Sequence, residues 1–283
     1  MNKQLWVGLG SVLILIAIGA YFWLRQAPQQ PPPPAPVVSA APIVAPPAPA
    51  PAEPAIRHPI DEAPSATPLP PIERADAFVK EQITGLLGAK RVKTHVRIEN
   101  FVRSVVATVD NLARSLAPPR MWPIHPTPGR FNVETAGNER IISSKNAARY
   151  RPFVALAESV DTARAVALYK LLYPLFQRAY ETLGYPGKHF NDRLVEVIDL
   201  LLETPIPSTP LKVELPEVQG PIKPSRPWLL YRFSDPALER LASGQKILLR
   251  VGRENEKRLK AKLVQIRKLI ATEQVGRRTP GSG

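Results

Sequence analysis

Cysteine is absent from the 283 residues, which excludes disulfides, thiol nucleophiles and thiolate metal sites together. Histidine is scarce. His58, His95, His125 and His189 are dispersed, and no His-Glu-x-x-His spacing links any two of them, so no metal or cofactor is expected. There is no Gly-x-Ser-x-Gly elbow, and Gly244-Gln245-Lys246 lacks the upstream glycine of a phosphate-binding loop. No catalytic residue can therefore be named from motif spacing, although a site assembled from distant residues leaves no such trace. Acidic residues are also under-represented, 24 against 38 basic ones, for a net charge of +14.

Proline, by contrast, is abundant, and it is unevenly placed. Of 34 prolines, 17 fall between Pro28 and Pro71. Proline removes backbone donors and fixes φ near −65°, so neither helix nor sheet is expected there. The predicted state is an extended, disordered tether over 27–71 that reaches at most about 140 Å at ~3.1 Å per residue. Immediately before it, Leu5 to Leu24 is an uncharged apolar run of 20 residues, long enough as a helix to cross a bilayer core. Trp6 stands near one end and Tyr21, Phe22 and Trp23 at the other, where aromatic rings favour the headgroup region. A cleaved secretory signal is the rival reading, with Ile18-Gly19-Ala20 as its cleavage site. The run continues through bulky residues past that point, which favours a retained single-span anchor over 1–26. Lys3 and the α-amino group outweigh Arg25 across the span, which orients the N-terminus to the cytoplasm and the body of the chain outside. Residues 1–71 carry three basic and three acidic groups, so the entire +14 belongs to residues 72–283.

That larger part of the chain reads as mainly α: a helical globular domain over 72–275 with one or two minor β elements, then a frayed tail over 276–283. Apolar positions recur at three and four through Ile72–Gly88, Val96–Leu116, Asn146–Val160, Asp161–Gly184, Asn191–Glu203 and Arg253–Glu273. Asp161 is a natural N-cap, and Pro174 should kink the helix that it starts. Alternation on both sides of Ala136-Gly137-Asn138 predicts a hairpin. The proline-rich stretch 205–227 reads as a long surface loop, and Trp228–Phe233 as a short strand. Ser234-Asp235-Pro236 opens a helix that continues to Gly252.

Two constellations stand out. Tyr180, Tyr185, His189, Asn191, Asp192 and Arg193 converge on a predicted helix N-terminus, where unsatisfied backbone N–H groups favour anions. The functional reading is a small binding site. The structural one is a capped helix, with Asn191 or Asp192 as the cap and the aromatics in the core. The second is the basic C-terminal helix, where Lys257, Arg258, Lys260, Lys262, Arg267 and Lys268 surround an apolar stripe. They offer a surface for anionic lipid, wall polymer or nucleic acid, or simply the solvated face of a packed helix. The short run Lys90-Arg91-Lys93 has no interleaved aromatics to stack bases, so nucleic acid is the weaker of these partners.

Several strings carry a resemblance: Phe78-Val79-Lys80-Glu81-Gln82, Asn146-Ala147-Ala148-Arg149-Tyr150, Phe190-Asn191-Asp192-Arg193-Leu194 and Leu230-Tyr231-Arg232-Phe233. Over most of 75–270 the chain resembles a bacterial family of single-span proteins, the domain of unknown function 3014. The resemblance implies a bacterial, membrane-anchored protein and no particular chemistry. The expectation is an inner-membrane, single-pass protein whose domain lies in the periplasm. It would act as a non-enzymatic adaptor that binds a protein partner, a wall polymer or an anionic lipid surface. An envelope enzyme with an unrecognised site is the alternative. A cytoplasm-facing nucleic-acid tether would result from reversed topology.

Overall fold

A computed structural model describes residues 55–60, 68–217 and 224–271, all of which fall in one compact unit. The expected anchor at 1–26, most of the tether and the tail at 276–283 lie outside the described residues. Among the described residues no helix is long and apolar enough to cross a membrane.

The first helices are α1 (Ala75–Leu87) and α2 (Ala89–His95), with Val79, Ile83 and Val92 buried. Then comes α3 (Phe101–Leu112), so the helix expected over Val96–Leu116 is broken at its start. Val96 instead pairs with Ile124 in an isolated bridge, and Asn100 adopts a left-handed φ of 52°. The break is held from a distance: the Asp76 carboxylate of α1 accepts from the amides of Asn100 (2.7 Å) and Phe101 (3.2 Å), which caps α3 across 24 residues of sequence.

The hairpin forms as expected, with β1 (Val133–Ala136) antiparallel to β2 (Glu139–Ile142) and Val133 opposite Ile142. Gly137 turns it at a φ of 61°, where a side chain would strain the backbone. The long helices come next: α4 (Lys145–Ser159), α5 (Thr162–Thr182) and α6 (Phe190–Leu202). Asp161 caps α5 by accepting from the Arg164 amide at 2.7 Å, and α5 continues past Pro174 as one element.

Two further expectations need correction. The stretch 205–227 is not purely loop, because β3 (Val213–Glu214) pairs antiparallel with β4 (Arg232–Phe233). Val213 and Phe233 are both buried with Leu249, which pins the proline-rich segment to the domain. The helix expected from Ser234 to Gly252 is in fact two, α7 (Pro236–Glu239) and α8 (Ser243–Val251). The interruption lets Ser243 donate its amide to the Arg114 carbonyl (2.7 Å) and its hydroxyl to that of Asn111 (2.8 Å), satisfying carbonyls at the end of α3. Gly244 allows this approach, since a Cβ there would lie 2.6 Å from a Leu201 methyl and 3.0 Å from the Leu112 carbonyl oxygen. The last helix is α9 (Arg253–Ile270).

The fold is mainly helical, with these two small antiparallel sheets joined by a bridge between Ile141 and Lys212. The main core fills the space between α1, α3 and α5 and takes in Phe190 at the start of α6. Smaller clusters join α5, α6 and α9, and α3, α6 and α8.

The end of the proline-rich segment belongs to this core. Ile60 packs against two of the clusters, and Leu69 and Ile72 against the main one. Composition assigns 55–60 and 68–71 to a free tether. Burial of these aliphatic side chains instead brings them onto the domain, because apolar area removed from water offsets the ordering of a few residues.

Candidate functional site

Five of the six residues expected at the α6 N-terminus line one cleft of about 420 Å³: Tyr180, Tyr185, His189, Asp192 and Arg193. The sixth, Asn191, is fully buried and faces elsewhere. The cleft opens between the ends of α3, α5 and α6. Its floor is a residue that motif reading passed over, Asp110 of α3, which is 3% exposed.

Asp110 gathers the cluster. Arg193 donates to it at 3.1 Å through Nε and also holds the Asp110 backbone carbonyl at 3.2 Å. Arg114, just past the end of α3, donates to the same carboxylate at 2.7 and 3.0 Å. The Tyr185 hydroxyl lies 3.2 Å from the carboxylate as donor and accepts from Arg114 at 2.5 Å. Its ring stacks on Tyr180 with centroids 4.5 Å apart, and Lys188 lies 5.6 Å from the Tyr185 ring centroid. Arg193 also reaches Glu196 at 2.9 Å.

Asp110, Arg114, Tyr185 and Arg193 thus each have a partner within the cluster, whereas no hydrogen bond ties the His189 side chain to it among the described residues. A buried carboxylate shared by two guanidiniums and a phenol is a closed ion cluster rather than a base waiting for a proton. The bond to Asp110 raises the Arg114 guanidinium above its ordinary value. Burial pushes the Tyr180 phenol up to about 12, with Arg193 opposing the shift. Tyr180 therefore keeps its proton throughout the neutral range.

The capping expectation for this helix is wrong. His189 is the N-cap residue and makes no side-chain cap bond; the Phe190 amide donates instead to Gln177 of α5 at 2.8 Å. Asn191 and Asp192 serve another segment. Asp192 accepts from the backbone amides of Arg57 (3.0 Å) and His58 (2.7 Å). The Asn191 side chain donates to the carbonyls of His58 (2.8 Å) and Ile270 (2.9 Å). These two side chains fasten the incoming proline-rich chain to the start of α6. The missed partners had a faint signal: Asp110 interrupts the apolar run Val105, Val106 and Val109, and Arg114 comes after it at i+4.

On α9 the expected basic surface is largely committed to the protein itself. Arg258 pairs with Glu158, and Arg267 with Asp199. Lys257 pairs with Glu254 at 3.0 Å and Lys260 with Glu256 at 3.1 Å. Lys262 donates to the Val160 carbonyl at 2.6 Å and to the Thr162 hydroxyl at 3.0 Å. Glu256 is 1% exposed, and burial raises its carboxyl above the ordinary value, against the pull of Lys260. Of the six expected cations only Lys268, exposed near the end of α9, has no such bond among the described residues. Nor do the described residues include a group of three or more His, Asp or Glu that could hold a metal ion.

No curated protein and no solved structure matches the chain. A family match does exist, to the family described as "Protein of unknown function (DUF3014)", over residues 101–267. That span is more than half of the 283 residues; it opens at the first residue of α3 and takes in the cleft apart from Ala55 and Arg57, both sheets and nearly all of α9. The chain belongs to this family of proteins of unknown function, DUF3014.

Proposed function

We propose that the protein is a bacterial inner-membrane adaptor, anchored by the apolar run at 5–24, that holds its helical domain in the periplasm to bind another envelope protein. The observation that carries this reading is the fastening of the tether. Backbone amides of Arg57 and His58 sit on Asp192, and the His58 carbonyl accepts from Asn191. Residues 57–58 are thereby fixed on the domain, so the proline-rich segment meets it at a defined point beside the cleft, which suits presentation to a partner.

A protein partner is favoured over an anionic surface because most of the α9 cations are already bonded within the domain. An apolar groove of about 310 Å³ between α1, α3 and α5, lined by Leu86, Leu87, Phe101, Val105 and Leu168, is consistent with that choice. The reading is tested in two steps. Full-length chains carrying C-terminal alkaline phosphatase should be active, and those carrying a cytoplasm-maturing fluorescent protein should be dark; the reverse pattern overturns the location. Full-length protein in detergent should then fail to co-sediment with wall sacculi or with beads bearing anionic headgroups at about 0.15 M salt. Salt-sensitive co-sedimentation would restore the surface-binding alternative.

A further inference from the structure

A separate cavity of about 530 Å³ shares no lining residue with the cleft or with α9. It is walled by α4, the end of α8, the segment leading into the hairpin and the segment before β4. Four arginines line it, Arg130, Arg149, Arg226 and Arg250, together with the rings of Phe131, Trp228 and Tyr231. Among the described residues no carboxylate lines it.

These arginines differ from the ion-paired ones of the domain, and unlike other unpaired arginines such as Arg97 and Arg164 they line one concavity together. Arg103, Arg114, Arg193, Arg232, Arg258 and Arg267 each meet a carboxylate. Among the described residues none of the four cavity arginines does. Three of them, Arg149, Arg250 and Arg130, are oriented by neutral groups instead, and Arg226 is exposed at the rim. Arg149 donates to the carbonyls of Pro128 and Gly129, both at 3.0 Å, and to the Asn146 side chain at 3.1 Å. Arg250 donates to the Tyr231 carbonyl at 3.1 Å and lies 4.6 Å over the Phe233 ring. Arg130 lies 4.2 Å over Trp228. The acid whose charge most affects Arg250, Glu239, is itself taken by Lys246 and the Phe233 amide. Burial lowers the Arg250 guanidinium below its ordinary value, as expected for a charge stripped of water without an ionic partner.

Fixed guanidiniums with no counter-charge, converging on a concave site, are an arrangement that binds anions. Four positive charges favour a doubly charged head group over a singly charged one, and a phosphate monoester carries close to −2 at neutral pH. The volume exceeds what phosphate alone would fill and falls in the range of small-molecule sites. The tilted Phe131 and Tyr231 rings, 5.9 Å apart, supply an apolar wall against which a ring could rest. We propose that this cavity binds a small phosphate monoester carried on a ring, with the phosphate among the arginines and the ring against the aromatic wall.

Calorimetric titration of the full chain in detergent tests this with adenosine 5′-monophosphate, glucose 6-phosphate, inorganic phosphate and adenosine. At least one monoester should bind about tenfold or more tightly than both inorganic phosphate and adenosine. If the nucleotide is the tighter ester, the wall selects a planar base; if the sugar phosphate is, it selects a sugar face. The double variant Arg130→Gln/Arg226→Gln changes two exposed side chains, so it should keep its melting curve and weaken the ester about tenfold or more. Absence of heat with both esters, equal affinity for adenosine and its monophosphate, or an unchanged double variant would each overturn the site. Phosphate that binds as tightly as either ester would remove the role of the aromatic wall.

Discussion

The cleft at Asp110 and the cavity at Arg250 are built from the same materials, arginines beside tyrosines, and put them to opposite use. In the cleft, Arg114 and Arg193 converge on a buried carboxylate and Tyr185 closes the ring of bonds. In the cavity, Arg149 and Arg250 are held by carbonyls and an aromatic face, and their charges stay uncompensated. Richness in charged and aromatic residues therefore does not identify a binding site. What distinguishes the two is whether the charges cancel within the protein. Where they cancel, the cluster is cement; where they remain, the site has affinity to spare for an outside ion.

Substitutions at the two places should behave differently. Asp110→Ala leaves two guanidiniums and a phenol without their acceptor and should cost about 3 kcal/mol or more in urea unfolding of the full chain. A loss under about 1 kcal/mol would mean that the cleft charges do not depend on one another. Asp192→Ala frees the amides of Arg57 and His58, with an expected cost of about 1–2 kcal/mol and faster trypsin cleavage after Arg57. Unchanged cleavage would show that the tether end is held by its aliphatic contacts alone. Arg130→Gln in the cavity should shift stability by less than about 0.5 kcal/mol, since no carboxylate depends on it. A larger loss would mark the cavity arginines as structural after all.

The smallest effect is spectroscopic. The Tyr180 phenol is raised from 10.0 to about 12 in the folded chain, so the unfolded chain loses this proton first. Its contribution to stability is complete below pH 10 and falls as pH rises toward 12. Tyr180→Phe should flatten that alkaline decline and remove one late-titrating phenol from the absorbance curve. An unchanged curve would mean that burial does not govern this group.

Much of the helical layout was legible because periodic apolar residues report which face is buried. The hairpin was legible because Ala136-Gly137-Asn138 carries its own turn. What escaped depends on partners remote in sequence. Nothing in Arg97-Ile98-Glu99-Asn100 announces a break; Asp76, on another helix, supplies the cap that makes it stable. Composition hid the docked tether, since the prolines beside Ile60 and Leu69 outweigh two aliphatic side chains in any local average. The convergence on the cleft was foreseen from Tyr185 to Arg193, yet the roles were misassigned. Asn191 and Asp192 are residue types that cap helices, and only the path of residues 57–58 reveals that they bind a passing strand. The cavity was invisible, because its arginines lie as far apart as 130 and 250 and none belongs to a motif.

One amide side chain has a mechanical consequence. Asn191 donates both to His58, where the chain enters the domain, and to Ile270, at the end of its last helix. The clasp can close in full only after α9 has been synthesised and docked. Once it is closed, the first and last described segments of the domain share one side chain, so fraying at either end should loosen the other.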